Sequence, residues 1–232
     1  IMMVAFGILM VLVTLVGFRE TISVRNTSAL HPIIIAANFA RFLKNPTFVA
    51  YTICSTLSAL GVFTFLNASA PVMIEVLGVS PTEYGLWAAT SMLGFMAGGL
   101  VSGRYVRRIG LDRMIFLGGI LVAGAGSALL VAALTDTIST GVIVTLFAIY
   151  FFGHASLQPQ TIAGALTPFP DAAGTAASLS GFVMVAGGAL LSILLGATGD
   201  GTALPMAIAT AFSGVGALLS YLFMVRPAQR RA

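Results

Sequence analysis

Long stretches without a charged residue constrain this chain more than any other feature of its sequence. The charged residues leave seven uncharged intervals, at 1–18, 45–74, 84–103, 114–135, 137–170, 172–199 and 201–225. A helix needs about 20 apolar residues to cross roughly 30 Å of hydrocarbon, and each interval approaches or exceeds that length. The sequence therefore predicts an all-α, polytopic membrane protein whose seven transmembrane helices lie in a lipid bilayer.

Composition and motifs narrow the class further. Hydrophobic residues make up 58% of the chain and charged residues only 8%, which excludes an ordinary soluble domain. The apolar runs are continuous and lack the alternation of barrel strands, so the spans should be helices. Hydrolase motifs, phosphate loops and Cys/His metal clusters are absent from the sequence. We therefore expect no enzymatic activity and no cofactor.

The distribution of charge predicts the orientation of the chain. All 11 Lys and Arg residues lie within 19–44, 104–113 and 226–231. The connections after the second, fourth and sixth spans carry only acidic residues, namely Glu75, Glu83, Asp136 and Asp200. The positive-inside rule then places residue 1 outside and the C-terminus in the cytoplasm. Because the basic groups lie beside lipid headgroups and lack an aromatic stacking platform, we expect no nucleic-acid partner.

The longest polar connection contains an amphipathic segment, "HPIIIAANFARFLKN", at 31–45. Helical spacing places Asn38, Arg41 and Asn45 on one face. The opposite face is apolar and consists of Ile34, Ile35, Phe39, Phe42 and Leu43. This pattern predicts a helix that lies along the membrane surface, either as an interfacial anchor or as a tether between two halves of a transporter.

A weak internal repeat appears at a shift of 89 residues. Pro81, Gly85, Ala88 and Ala97-Gly98-Gly99 then align with Pro170, Gly174, Ala177 and Ala186-Gly187-Gly188. An odd number of spans separates the two copies, so they would cross the membrane in opposite directions, as in many secondary transporters. The alternative is chance similarity in a chain rich in Gly and Ala. The repeat predicts two inverted three-helix units preceded by one further helix.

Two groups of polar and aromatic residues are candidates for contact with a ligand. In the fifth span, Tyr150, His154 and Gln158 recur every four residues and share a face, and Pro159 should distort the helix beside them. The second span contributes Tyr51, Ser55, Phe63, Asn67 and Met73. The first group suits substrate contact, hydrogen bonds between helices or, for His154, proton coupling. The second suits a permissive cavity for amphipathic compounds or plain packing.

The segment "GLVSGRYVRRIGLDR" resembles the loop signature of the major facilitator superfamily. The matching residues are Gly99, Arg104, Arg107, Arg108, Gly110 and Arg113, whereas Gly103 stands where the signature has an acidic residue. The resemblance implies that this cluster is a cytoplasmic latch, a set of polar contacts that stabilises one access state. Anchoring of the topology alone is the competing interpretation.

Three longer segments are more specific. The stretches at 65–89, 166–181 and 200–207 are similar to the C-terminal half of bicyclomycin and chloramphenicol resistance (Bcr/CflA-type) drug:proton antiporters. The resemblance implies that the seven spans are helices six to twelve of a twelve-helix fold. Residues 1–18 would end the N-terminal half, 19–46 form the inter-half loop, 47–225 the C-terminal half and 226–232 a cytoplasmic tail.

The same resemblance implies a function. It is proton-driven efflux of a hydrophobic, drug-like compound across the bacterial inner membrane by alternating access. An N-terminal half of the transporter would be the required partner. Two alternatives stay open at this point: a seven-helix membrane receptor, and a half-transporter that is inactive without its partner.

Overall fold

The helices follow the apolar intervals closely. The computed structural model describes residues 2–17, 32–199 and 201–229, and within these ranges the regular structure is entirely helical. The helices are α1 (Met2–Gly17), α2 (Pro32–Leu43), α3 (Pro46–Pro71), α4 (Pro81–Ile109), α5 (Leu111–Leu134), α6 (Thr140–Leu166), α7 (Ala173–Ala197), α8 (Leu204–Ser220) and α9 (Arg226–Gln229). Single π-helical turns, Val72–Val76 and Tyr221–Val225, continue α3 and α8.

Six segments of the described chain are long and apolar enough to cross a membrane. They are Pro46–Val76, Pro81–Ile109, Leu111–Leu134, Thr140–Leu166, Ala173–Ala197 and Leu204–Gln229. These helices confirm the all-α membrane class and six of the predicted spans. The remaining predicted span, the first in the chain, corresponds to α1. This helix has only 16 described residues, so the count of seven spans is not confirmed.

The chain divides into two compact units, residues 1–36 and residues 37–232. The first contains α1 and the start of α2, and the second contains all six long spans. Residues 18–31, which include the first part of the predicted inter-half loop (19–31), lie outside the described residues, as do Asp200 and the last three positions of the predicted tail.

Local capping determines where several helices begin. Ser80 and Glu83 form a capping box at the start of α4, with Pro81 in its first turn. Asn45 accepts hydrogen bonds from the amides of Thr47 and Phe48 and so begins α3. The prediction that Asn45 belongs to the polar face of the preceding helix was therefore wrong, because its short amide side chain satisfies the free amides of the next helix instead.

Helix packing within residues 37–232 follows the predicted repeat. In the repeat, α3, α4 and α5 are equivalent to α6, α7 and α8. The contact of α4 with α6 has its equivalent in the contact of α7 with α3, and the contact of α5 with α6 has its equivalent in that of α8 with α3. The two remaining large contacts, α3 with α6 and α5 with α8, each join equivalent helices. This symmetry of contacts supports two inverted three-helix units, α3–α5 and α6–α8.

The basic cluster at 104–113 lies on helices and not in a loop. α4 continues past the predicted span through Arg104, Arg107 and Arg108 to Ile109. Only Gly110 separates it from α5, and its φ of 88° with ψ of 154° is a backbone conformation that is essentially restricted to glycine. The chain therefore reverses with a single residue, and the arginines project from the ends of two helices.

The C-terminal end of α2 packs on protein. Phe42 is 0% exposed, and its ring centroid lies 4.6 Å from that of Phe169 and 5.6 Å from that of Phe48. Arg41 lies over the Phe169 ring and forms an ion pair with Asp171 at 2.8 Å. The apolar face predicted to lie on the membrane is thus buried against the α6–α7 connection at Phe42.

We expect Arg41→Gln to raise the pKa of Asp171. The Arg41 guanidinium donates a hydrogen bond to this carboxylate and holds its pKa below the ordinary value. Because the folded-state pKa is depressed, the pair contributes stability above the unfolded pKa of about 3.9, and this is lost as pH falls through the lower folded value. Both side chains are largely exposed, so the effect on stability should be small.

The measurement is a pH titration of ¹³C-aspartate-labelled protein by NMR. The chain has four aspartates, and Asp171→Asn assigns the relevant signal. Lys44→Gln, a change of equal charge three residues along the chain, serves as the control and should leave the Asp171 signal unmoved. An Asp171 pKa that is the same in wild type and Arg41→Gln would contradict the ion pair.

Candidate functional site

A buried polar network joins the two central helices, α3 and α6. Ser58 Oγ and His154 Nδ1 share a hydrogen bond of 2.8 Å, and the Tyr150 hydroxyl donates to the Ser58 carbonyl oxygen at 3.0 Å. His154 is 6% exposed and Tyr150 is 1% exposed. The predicted shared face of Tyr150 and His154 thus meets one residue, Ser58, which sequence reasoning did not single out.

Two tyrosine rings fill the space above glycines of the facing helix. The Tyr150 ring of α6 contacts Gly61 of α3, and the Tyr51 ring of α3 contacts Gly164 of α6. The Tyr51 hydroxyl also accepts a hydrogen bond from Gln229 of α9. Both candidate aromatics therefore pack inside the bundle, where a missing Cβ on the opposite helix makes room for each ring.

Three buried polar atoms have no hydrogen-bond partner within the described residues: Thr52 Oγ1, Thr56 Oγ1 and Gln158 Oε1. Gln158 uses its amide group for one contact, a hydrogen bond of 3.4 Å from Nε2 to Met184 Sδ of α7. Thr56 faces Gly187, one turn further along α7. An acceptor that is buried without a donor is costly, so the junction of α3, α6 and α7 is suited to bind a polar group of a ligand.

The remaining candidates of α3 are spread along the helix. Ser55 and Met73 are buried, and the Phe63 ring packs against Gly188 of α7. Asn67 is exposed and donates to the Phe63 carbonyl oxygen at 2.7 Å. Tyr51 and Met73 are 22 residues apart, which corresponds to about 33 Å along a helix. The five residues therefore do not form one wall.

Asn67 lines a cavity of about 340 Å³ at the other end of the bundle from Tyr51. The same cavity is bordered by Glu75 of the π-helical turn, Ser192 of α7 and Pro205 of α8. Its wall combines apolar side chains with one carboxylate. Of the eight predicted contact residues, only Asn67 lies at this opening.

A second polar chain, between α4 and α6, was not predicted. Gln160 Nε2 donates to Ser102 Oγ at 2.6 Å, and Ser102 Oγ donates to the Ser156 carbonyl oxygen at 3.2 Å. The single proton of Ser156 Oγ is shared between the Phe152 carbonyl oxygen at 2.8 Å and the Gly98 carbonyl oxygen at 3.3 Å. The sequence feature that could have predicted this contact is the spacing of small residues along α4, at positions 91, 94, 98 and 102, which is typical of two helices in close contact.

The predicted latch residues are exposed, and all of them except Gly99 lie near the ends of α4 and α5. Arg104, Arg107 and Arg108 of α4 and Arg113 of α5 form no ion pair with the acidic side chains that the structure describes. Gly99 is exposed, and no atom lies within 4 Å of a Cβ built there. A latch would therefore need partners other than the described residues.

Comparison with known proteins agrees with this architecture. The family model described as Major Facilitator Superfamily matches residues 51–232. The chain is 28% identical to a bicyclomycin resistance protein homolog of Haemophilus influenzae over 210 residues, which cover 88% of this chain and 51% of that protein.

Multidrug resistance protein MdtL of Salmonella dublin is 31% identical over 201 residues, which cover 84% of this chain and 48% of that protein. The MdtL protein of Salmonella typhimurium gives the same values. No solved structure matches significantly. The chain spans about half the length of these curated relatives. With its six long helices and the match over residues 51–232, the chain belongs to the major facilitator superfamily.

Proposed function

We propose that this chain provides the C-terminal half of a secondary transporter that exports hydrophobic or amphipathic drugs. Its helices α3–α8 would be the last six of a twelve-helix transporter, with α1 as the helix before them. Residues 19–46 would connect the halves and 226–232 would form a cytoplasmic tail. The names of the relatives, which concern bicyclomycin resistance and multidrug resistance, support this substrate class and a location in the bacterial inner membrane.

The observation that carries the proposal is the unequal burial of the spans. In α4 and α7 only 17% of the residues in the central apolar stretch are buried, compared with 50–56% in the other four spans. Both weakly buried helices flank α6 and α3, which hold the unpartnered polar atoms. A transporter half is expected to expose such a side, because its counterpart covers the substrate path. An N-terminal half is therefore the proposed partner.

In this mechanism the substrate binds between the halves, at the junction of α3, α6 and α7. Gln158 Oε1 would accept a hydrogen bond from the substrate, Thr56 Oγ1 would accept or donate one, and Phe63 would supply apolar contact. A cavity with few polar groups accepts compounds of varied shape. When the transporter changes between its outward-open and inward-open states, the two halves would slide past each other along helix surfaces that are lined with small residues.

Proton entry would drive the export step. His154 is the proposed coupling candidate of this half, but its burial and its hydrogen bond to Ser58 also suit a link between α3 and α6. The basic cluster of Arg104, Arg107 and Arg108 would act as the latch by binding the other half at the cytoplasmic side. A half-transporter without activity of its own is the second candidate, because the chain matches only about half of each relative.

The test is drug transport in proteoliposomes with an imposed pH gradient. We expect uptake of radiolabelled bicyclomycin or chloramphenicol only when the chain is joined to the N-terminal half of a bicyclomycin resistance relative. Gln158→Leu should lower uptake by about tenfold, as expected for one lost hydrogen bond in a dry site, and should not lower the melting temperature, because the buried Oε1 has no donor in the folded protein.

Gln160→Leu is the matched control on the same helix. It removes the hydrogen bond to Ser102 and should lower the melting temperature instead. Uptake that needs no pH gradient would contradict proton coupling. Failure of every joined transporter to move any probe, despite correct insertion, would refute the efflux function. Uptake by the chain alone would contradict the need for an N-terminal half, both in the main proposal and in the half-transporter alternative.

A further inference from the structure

A small cavity lies where the N-terminus of α5 meets the π-helical turn after α8. Its volume is about 230 Å³, and Asp112, Arg113, Phe116, Tyr221 and Arg226 line it. The two helices that form it pack extensively on each other within the second unit. The cavity is at the basic end of the bundle and is separate from the junction of α3, α6 and α7.

The electrostatics of this cavity favour an anion. The Asp112 carboxylate already accepts a hydrogen bond of 2.9 Å from the Tyr221 hydroxyl. Arg113 and Arg226 come from different helices, and neither has an acidic partner among the residues that the structure describes. The free amides at the start of α5 add positive potential at the same place. Two guanidinium groups, one carboxylate and a helix N-terminus therefore face one cavity, and positive charge is in excess there.

One side of the cavity is apolar. Phe116 is 38% exposed although it lines the cavity. Exposed Ile120 lies one turn further along α5 on the same face, and Leu219 is exposed on the adjoining helix α8. A free phosphate would contact only the arginines, whereas a lipid would contact the arginines and this surface together.

We propose that the cavity binds the phosphate group of an anionic phospholipid. Arg113 and Arg226 hold the phosphodiester, and an acyl chain lies along Phe116 and the exposed apolar residues of α5 and α8. Basic pockets between membrane helices are known to recognise anionic headgroups in this way. The site lies away from the junction of α3, α6 and α7, and although it shares Arg113 with the predicted latch, its test measures lipid retention and not transport.

Lipid retention on the purified, delipidated chain tests the site. Phosphatidylglycerol or phosphatidylcholine is added to the protein in detergent, and bound lipids are counted by native mass spectrometry. We expect one phosphatidylglycerol to be retained in preference to phosphatidylcholine. Arg113→Gln with Arg226→Gln should weaken that binding by roughly fivefold for each arginine. Arg113→Lys with Arg226→Lys should retain most of it and shows that the fold tolerates changes at both positions.

The matched control is Arg104→Gln with Arg107→Gln, which removes the same charge from the same end of the bundle but not from the cavity. It should leave phosphatidylglycerol binding intact. Equal losses in both double variants would overturn the proposal in favour of unspecific attraction. Equal retention of the two lipids would also overturn it. Binding of inorganic phosphate, but not of phosphatidylglycerol, with the same dependence on Arg113 and Arg226 would replace the lipid by a free anion.

Discussion

Replacing Gly98 with valine is expected to disrupt the packing of α4 on α6, whereas valine at the adjacent Gly99 should be tolerated. Gly98 is buried, and a Cβ built there overlaps the Phe152 backbone of α6, with its Cα at 2.8 Å. No atom lies within 4 Å of a Cβ built at Gly99. A helix backbone cannot give way as a flexible side chain can, so the helices must separate.

The cost should exceed the roughly 1–3 kcal/mol of ordinary overpacking, because separation also breaks the polar chain from Gln160 to Gly98. The measurement is the yield of monodisperse protein in detergent, together with its melting temperature. Gly99→Val is the control, since it adds the same side chain one residue away on an exposed position. Equal behaviour of the two variants would show that α4 and α6 are not in this close contact.

Truncation of Tyr150 to alanine should produce the second large loss of stability. The side chain is 1% exposed, its ring fills the space above Gly61, and its hydroxyl donates to the Ser58 carbonyl oxygen. Removal leaves a cavity at the centre of the α3–α6 interface. Truncation of a large buried aromatic residue typically costs about 3–5 kcal/mol.

Tyr150→Phe separates the ring from the hydroxyl. It keeps the packing and removes one hydrogen bond, which in a membrane helix contact is worth about 0.6 kcal/mol on average. Thermal unfolding in detergent or nanodiscs should therefore show a large decrease for the alanine variant and a small one for the phenylalanine variant. If phenylalanine is as damaging as alanine, the hydroxyl and not the ring stabilises the interface.

The spans were predictable because their physical cause is local. The uncharged interval 114–135 corresponds to α5 at Leu111–Leu134, and 172–199 corresponds to α7 at Ala173–Ala197. Any segment that spans hydrocarbon must satisfy its backbone internally, so length and apolarity suffice to predict a helix. The positions of charged residues predicted the ends of the helices less accurately than their existence. α4 continues to Ile109, because arginine is a good helix former and the turn at Gly110 needs only one residue.

The candidate site was only partly predictable. The four-residue spacing correctly placed Tyr150 and His154 on a common face. Their partner Ser58 is 92 and 96 residues away in sequence, and Arg41 pairs with Asp171 across 130 residues. Small polar residues such as Ser58 and Ser102 have no periodic signal of their own. Their contacts depend on which helices are neighbours, and that is a property of the folded bundle.

The sequence by itself determined the membrane environment, the helical class and the approximate ends of six spans, because the free energy of placing apolar and charged residues in lipid depends on local composition. The tertiary structure alone decided which helix faces become interfaces. Close approach at Gly98 and Gly61 depends on the shape of a facing helix, and the lipid supplies no hydrophobic drive that would single out those faces in advance. For the same reason, the unpartnered Gln158 and the cavity between Arg113 and Arg226 became visible only once the helices were packed.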